Sequence, residues 1–413
     1  MSRSARKRGW PLTCLLLMIA ACAPADPRTD MAAADMPPVR TLGAQEVIDL
    51  LVGSCIQATR GCNAASYIET VTAAMAEGAE FRVISADDLP DDWMAVGTAA
   101  VGGGGAWEHV IERTEEQGLE LVEGTNARSV ELLADHMGVE FNAVLRLESA
   151  GATRSALLLA AEMGLPLVDA CLSVRARPEI QQQIPWLVGI PSTPSALVTR
   201  WGDQVVIEGV DDYRAEDLAR GVAVSSGGGA AIAMNPMTGA EVKRGTIKGA
   251  LTEAIEFGRT VREAREQGND PVAALIELTG GYKLFQGIVT RSDQRGDRGF
   301  SWTDAELAGV DEFEGHTYEI FVKNENIVSW LDGELDAISP DYIFNLDPET
   351  GEAITGGGLG GYPMGMEVVI VGVPGHAEWL TPEGIDIIGP RHFGFDFDYV
   401  PIAELQAGRP SFN

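Results

Sequence analysis

Basic side chains are scarce in this sequence. Lys and Arg together number 30 against 61 Asp and Glu, so the formal net charge of the 413 residues is −31 at pH 7. Nucleic acids and anionic lipid surfaces are bound by clustered Lys and Arg. We therefore expect no nucleic-acid partner, and contact with a membrane only through an N-terminal lipid.

Histidine is rarer still, and its five positions show none of the spacings typical of zinc sites. The sequence contains no H-x-x-x-H, H-E-x-x-H or C-x-x-C motif, and no G-x-S-x-G nucleophile elbow. These absences argue against a motif-defined metal site and against a Ser-His-Asp hydrolase. We predict no cofactor, while the sequence leaves metal dependence and homo-oligomerisation open.

The apolar run at residues 12–21 is too short to span a bilayer as a helix. It follows a basic start and ends in small residues before Cys22, the pattern of a bacterial lipoprotein signal. We predict a signal peptide at 1–21, a lipid on Cys22, and a flexible tether at 22–43, which places the protein in the cell envelope, facing the periplasm or the exterior. The alternative is an ordinary cleaved signal with an incidental cysteine.

Three cysteines follow Cys22 in the chain: Cys55, Cys62 and Cys171. An exported protein sits in an oxidising compartment, so an odd count leaves at least one thiol unpaired within the monomer. A disulfide between Cys55 and Cys62 and a pairing of either one with Cys171 are both open.

Alternating helix and strand patterns from 44 to about 210 predict an α/β domain, a three-layer sandwich with a mostly parallel sheet. From 211 to 413 we predict an α+β domain. Beyond Gly281 this domain consists of short strands typical of a small β-barrel, including one at 384–390. The boundary between the two domains is expected near residue 210.

The segment 145–202 is the centre of the predicted α/β domain. It reads as a strand, a helix ending at Gly164, a second buried strand, and a long loop. Ligands of such sheets bind beyond the carboxyl ends of the strands. Glu148 and Asp169 each follow a strand, so we expect both carboxylates to face one crevice and to transfer protons there. The alternative is that either one caps a helix or pairs with an arginine.

Two further features are expected at the same end of the sheet. Arg175 and Glu179 lie in the loop after Asp169, where an arginine can bind a carboxylate or heterocycle oxygen, or the two residues can form an ion pair that holds the loop. A glycine run that includes Gly103 and Gly104 leads into a helix near His109. Such a turn suits an anion or a carbonyl oxygen, although tight packing explains it equally well.

Several ordered segments resemble the S-methyl-thiohydantoin desulfurase family. They cover roughly residues 44 to 406 and include Glu148 with its small-residue turn, GLPLVDA, GIPSTPSAL, GTIKGALTEAIEFGRTV, GYKLFQGIV and GPRHFGFDFDYVPIAEL. The resemblance implies hydrolysis of a small cyclic hydantoin-like substrate, in which water replaces methanethiol at a carbon between two nitrogens. Glu148 and Asp169 would transfer protons, and Arg175 would orient the ligand.

The sequence departs from the family at two loops. Where the family has a glycine-rich loop, this chain has Thr59-Arg60-Gly61-Cys62-Asn63, which places Arg60 among the candidate ligand-binding residues. Cys171 stands where the family has an acid, so it is either a thiolate nucleophile or a small buried side chain. Two alternatives to an enzyme follow: a lipid-anchored binding protein with the same cleft, and a non-catalytic subunit of a hydantoinase-like system.

Overall fold

The computed structural model describes residues 37–102, 108–354 and 362–409. A nine-stranded mixed sheet forms the first layer of the fold. Its strands are β1 Val39–Thr41, β2 Arg82–Ser85, β3 Met94–Gly102, β4 Ala143–Arg146, β5 Leu167–Cys171, β6 Ser195–Thr199, β7 Gln204–Ile207, β8 Gly229–Thr238 and β9 Ile247–Lys248. The order is β1-β2-β5-β4-β3-β8-β6-β7, with β9 paired to β5. The four central strands β2, β5, β4 and β3 are parallel, and the outer pairs are antiparallel.

Helices cover both faces of this sheet. They are α1 Ala44–Gln57, α2 Ala64–Ala76, α3 Glu108–Glu116, α4 Thr125–Met137, α5 Gly151–Glu162, α6 Ile184–Leu187, α7 Asp212–Ser225, α8 Gly239–Arg244 and α9 Ala250–Glu266. Successive strand residues point to opposite faces. In β5, Val168 packs in one apolar core with Ala219 of α7, while Leu167 packs in another with Leu50 of α1. The α/β prediction with a parallel centre is therefore confirmed in outline.

The second sheet is entirely antiparallel and has seven strands. They are β10 Tyr282–Asp297, β11 Phe300–Gly309, β12 Thr317–Lys323, β13 Glu325–Leu331, β14 Glu334–Ile338, β15 Tyr342–Leu346 and β16 Glu367–Val373. Its order is β14-β13-β12-β11-β10-β16-β15. The end strands β14 and β15 approach each other without a shared ladder, so the sheet is a curled half-barrel.

The remaining helices are α10 Pro271–Thr279, α11 Pro382–Ile388 and α12 Ile402–Ala407. The strand predicted at 384–390 is wrong, because α11 occupies most of it. Thr381 accepts a hydrogen bond from the backbone of Gly384, and Pro382 fills the first helical position. Both are helix-start signals.

An apolar cluster joins the two sheets. It contains Ile56 of α1, Phe257 of α9, Phe344 of β15 and Val371 of β16, together with Trp379. The first sheet also includes β8 and β9, which follow residue 210 in the sequence. The division of the chain at residue 210 stays a prediction.

Candidate functional site

A cleft of about 440 Å³ opens where β3 and β4 end, beside the loop that follows β5. Glu148, Arg177 and Glu179 line one side of it. Gly299 and Asn324, from the second sheet and its connections, line the other. The cleft therefore lies between the two sheets, at the carboxyl ends of parallel strands, as the strand pattern predicts.

Glu148 lies two residues beyond the end of β4 and reaches into this cleft. Its Oε2 accepts a hydrogen bond of 2.9 Å from the backbone N–H of Arg177. Burial raises the pKa of the Glu148 carboxyl, and the nearby charges of Arg177, Arg60 and Arg220 oppose that rise. Among the described residues nothing donates to Oε1, so one carboxylate oxygen is available to a ligand.

Three non-glycine residues near Glu148 have positive backbone φ angles. The φ angles are 57° at Thr59, 60° at Ala150 and 64° at Val174. Such angles cost free energy for residues with a Cβ, most of all for a β-branched one, and they cluster at functional sites. Ser149 donates to the carbonyl of Val174, which ties two of these turns together.

The loop that carries Arg60 is held by three further contacts. A disulfide joins Cys55 and Cys62, with 5.3 Å between their Cα atoms. Thr59 donates to a carboxylate oxygen of Glu325 at 2.7 Å. A Cβ at Gly61 would lie 2.0 Å from a backbone oxygen, so that residue must be glycine. Of the pairings left open by the sequence, the structure therefore has Cys55 with Cys62, and it places Arg60 on the cleft wall.

Arg177 and Arg220 are cleft residues that the sequence analysis did not select. Arg177 donates from Nη1 to the carbonyl of Ile180 and, at 2.7 Å, to Gln183. Burial lowers the pKa of Arg177, and Glu148 opposes this. Arg220 bonds Glu216 at 2.7 Å and donates to the carbonyls of three other segments. Arg220 lies in a helix pattern four residues after Glu216, so the sequence carried no signal for its position.

Glu179 lines the cleft, as expected, but its carboxylate is already occupied. It forms an ion pair with Lys323, accepts a hydrogen bond of 2.7 Å from His392, and accepts another from Gln181. Burial alone would raise the pKa of Glu179, but the contacts with His392 and Lys323 outweigh it and lower the pKa to about 2. Glu179 therefore holds the cleft wall rather than offering a free oxygen.

Arg175 does not reach the cleft, contrary to the expectation of a ligand contact. Its side chain is fully buried and pairs with Glu325 at 3.2 Å. It also donates to Ser339 and to the carbonyls of Pro340 and Asn326. The left-handed turn at residue 174 directs it toward the second sheet. Burial raises the pKa of Glu325 to about 7, and Arg175 opposes that rise.

The expectation that Asp169 shares a crevice with Glu148 does not hold. Asp169 is the third residue of β5, and its carboxylate accepts hydrogen bonds from the backbone of Leu251 at 2.8 Å and from Thr252. Asp169 therefore caps the start of α9, which is the alternative that the sequence analysis gave for this residue. Cys171 shares that strand face, is free and fully buried, and packs in the apolar cluster between the sheets. Buried structural cysteines are inert.

Gly103 and Gly104 lie outside the described residues. His109 is exposed near the start of α3 and is not among the described residues that line the cleft. Within the described ranges no group of three or more His, Cys, Asp or Glu side chains is arranged to hold a metal ion. No helix of that part of the chain is both long and apolar enough to cross a membrane.

Two family models match this chain. They are described as the S-Me-THD-like N-terminal domain, over residues 45–209, and the S-Me-THD-like C-terminal domain, over residues 210–402. A crystal structure of a protein from Chromobacterium violaceum superposes with a TM-score of 0.68 at 19% identity, covering 88% of this chain and all of that one. At that identity the likeness shows the fold alone. No curated protein matches. With both models aligned in order over residues 45–402, the chain belongs to the S-Me-THD-like family, that of the S-methyl-thiohydantoin desulfurases.

Proposed function

We propose that the cleft hydrolyses a small cyclic substrate of the S-methyl-thiohydantoin or hydantoin type. The observation that carries this proposal is the Glu148 carboxyl: it is desolvated, held by one oxygen, and open to the cleft through the other. Burial raises the pKa of this carboxyl, which favours its use as a general acid and base. Family membership supplies the substrate class.

One carboxyl suffices for the proton transfers of this reaction. Glu148 takes one proton from water as the water oxygen attacks the ring carbon between the two nitrogens, and the electron pair of the ring C=N bond moves onto its nitrogen. That pair re-forms the double bond as the carbon–sulfur bond breaks, and the proton held by Glu148 passes to the departing thiolate. The second water proton then moves from the oxygen to the ring nitrogen as the carbonyl forms. One water is consumed, and hydantoin and methanethiol are formed without any change of oxidation state. The hydrogen bond from the backbone of Arg177 fixes the carboxylate during both transfers.

The test is incubation of the purified protein with S-methyl-thiohydantoins, with hydantoin and methanethiol measured by mass spectrometry. Loss of a general acid–base group lowers turnover by about 10²- to 10⁴-fold, which we expect for Glu148→Gln. Glu162→Gln, an exposed change at the end of α5, is the matched control and should retain full activity. Turnover that survives in Glu148→Gln, with wild-type thermal stability, would remove Glu148 from the chemistry.

A binding protein is the second candidate, favoured by the placement of Asp169. With that carboxylate at the start of α9, Glu148 is left without the second proton-transfer group that the sequence led us to expect. A ligand raises the melting temperature of the state that binds it. Stabilisation by thiohydantoins without product would identify a binder. Absence of stabilisation by any hydantoin would favour a non-catalytic subunit.

Attachment to the cell envelope through a lipid on Cys22 is part of the proposal. The disulfide between Cys55 and Cys62 supports it, since such bonds persist in oxidising compartments. Expressed in bacteria fed labelled palmitate, the full chain should carry label and sediment with membranes, and Cys22→Ala should lose both properties. A labelled Cys22→Ala chain would contradict this assignment.

A further inference from the structure

A second cavity, which we call the side lobe, opens from the cleft. It has a volume of about 360 Å³ and shares Arg60, Glu148 and Ala176 with the cleft. Its other walls come from Tyr67 of α2 and from the first residues of α5, including Arg154. A ligand whose ring lies beside Glu148 therefore has room to extend a substituent into the side lobe.

Two arginines face the side lobe without a carboxylate partner. Among the described residues, no carboxylate lies within 4 Å of the guanidinium of Arg60 or Arg154, and neither guanidinium donates a hydrogen bond. Arg154 instead stacks over the ring of Tyr67 at 4.9 Å. By contrast, Arg175, Arg177 and Arg220 each donate to several acceptors.

Arg60 is half-buried, and a half-buried guanidinium without protein hydrogen bonds has lost part of its hydration without gaining a partner. Burial lowers the pKa of Arg60, which the charge of Glu148 only partly offsets. The strained turn at Thr59, the disulfide and Gly61 all hold the chain so that Arg60 stays in this position. An anionic ligand would supply the missing partner.

The start of α5 adds positive potential to the same cavity. This helix has twelve residues, and Ala150 at its N-cap gives no side-chain hydrogen bond. The unpaired N–H groups at such an end favour an anion. A Cβ at Gly151 would make an ordinary contact with the Tyr67 hydroxyl at 3.4 Å, so this end of the helix lies close to Tyr67 in the wall of the side lobe.

The charges in the side lobe favour an anion. Arg60 and Arg154 carry two positive charges, against the one negative charge that Glu148 carries when ionised. The side lobe is thus a locally basic cavity in a chain whose formal net charge is −31. A planar carboxylate also matches the paired N–H groups of a guanidinium.

We propose that the side lobe binds a carboxylate on the ligand's side chain, with Arg60 and Arg154 as its partners and the start of α5 beneath it. The position of a heterocycle in the adjoining cleft rests on the proposed function. Recognition of the carboxylate is independent of the proposed function, because it depends on Arg60, Arg154 and the start of α5. The protein is accordingly selective for acidic rather than neutral ring substituents.

The experiment is calorimetric titration of the purified full-length protein with four probes. Hydantoin-5-acetate and its neutral isostere hydantoin-5-acetamide share a ring, 3-ureidopropionate carries the carboxylate without a ring, and inorganic phosphate is the competing anion. Charge-assisted hydrogen bonds predict about 10- to 100-fold tighter binding of the acetate than of the acetamide. Arg60→Gln and Arg154→Gln should each weaken binding of the acetate more than binding of the acetamide, and so remove most of that preference.

Arg128→Gln, an exposed change on α4, is the matched control and should bind all probes as wild type does. Equal affinity for acetate and acetamide, or tighter binding of phosphate than of either carboxylate, would overturn the proposal. Turnover of thiohydantoins without carboxylate preference would leave the proposed function standing and this inference refuted. Binding of 3-ureidopropionate that depends on both arginines, without any turnover, would support carboxylate recognition in the side lobe and refute the proposed function.

Discussion

Replacing Arg175 tests whether it holds the core or contacts a ligand. Its side chain and that of Glu325 are both fully buried, and Arg175 also donates to Ser339 and to two backbone carbonyls. Removing one partner of a buried ion pair leaves an uncompensated charge and costs about 3–5 kcal/mol of unfolding free energy. We expect Arg175→Met to lose stability in that range at pH 8.

The loss should depend on pH in a defined direction. Burial raises the pKa of Glu325 to about 7 even with Arg175 present, and removing the arginine raises it further. At pH 6 the carboxyl of the variant is then neutral, so little buried charge remains. The destabilisation of Arg175→Met should therefore be smaller at pH 6 than at pH 8.

Urea unfolding measures these differences in unfolding free energy. Tryptophan fluorescence and far-ultraviolet circular dichroism should give the same transition, because two-state analysis requires that the two probes agree. The double variant Arg175→Met with Glu325→Gln is the matched comparison and should recover part of the loss, because no unpaired charge is left. The reasoning is refuted by an unchanged urea midpoint in Arg175→Met together with weakened ligand binding. That result would put Arg175 in the cleft.

Three further predictions concern the cleft wall and the cysteines. Contacts with His392 and Lys323 lower the pKa of Glu179 from its ordinary 4.5 to about 2, so its stabilisation is present above pH 4.5 and is lost as the pH falls toward 2. Glu179→Gln should thus cost at most about 3 kcal/mol at pH 7, and this difference from wild type should shrink below pH 4.5; a pH-independent difference would contradict it. Peptide mapping after N-ethylmaleimide treatment should find Cys171 alkylated only in denaturant, and Cys171→Ser should keep full activity on a confirmed substrate. The pair Cys55→Ala with Cys62→Ala, whose disulfide spans a sequence separation of 7, should lower the unfolding free energy by about 2.5 kcal/mol and weaken ligand binding through Arg60; unchanged binding would mean that the loop needs no bridge.

Elements with strong local patterns were predictable from the sequence. Alternating helix and strand periodicity, with stops such as Gly164, predicted the parallel centre of the first sheet and the helices over it. The rule that ligands bind beyond the carboxyl ends of parallel strands put Glu148 at the cleft. The strand prediction at 384–390 failed because it overlooked a helix cap. Thr381 at the N-cap and Pro382 at the first helical position begin a helix over 382–388, although this segment has the apolar content typical of a strand.

Side-chain partners were decided only by the tertiary structure. Arg175 meets Glu325 across 150 positions of sequence, and Glu179 meets His392 across 213, so no spacing within the loop could reveal either contact. The two-residue alternation of β5, which ends three residues later than expected, turns Asp169 toward α9. Sequence alone thus determined the family, the strands and helices of the parallel centre of the first sheet, and one carboxylate of the cleft. Only the tertiary structure decided which charges find a partner and which, such as that of Arg60, stay available to a ligand. Electrostatic and hydrogen-bond partners are set by distance in space, and that distance depends on how segments far apart in the chain fold against one another.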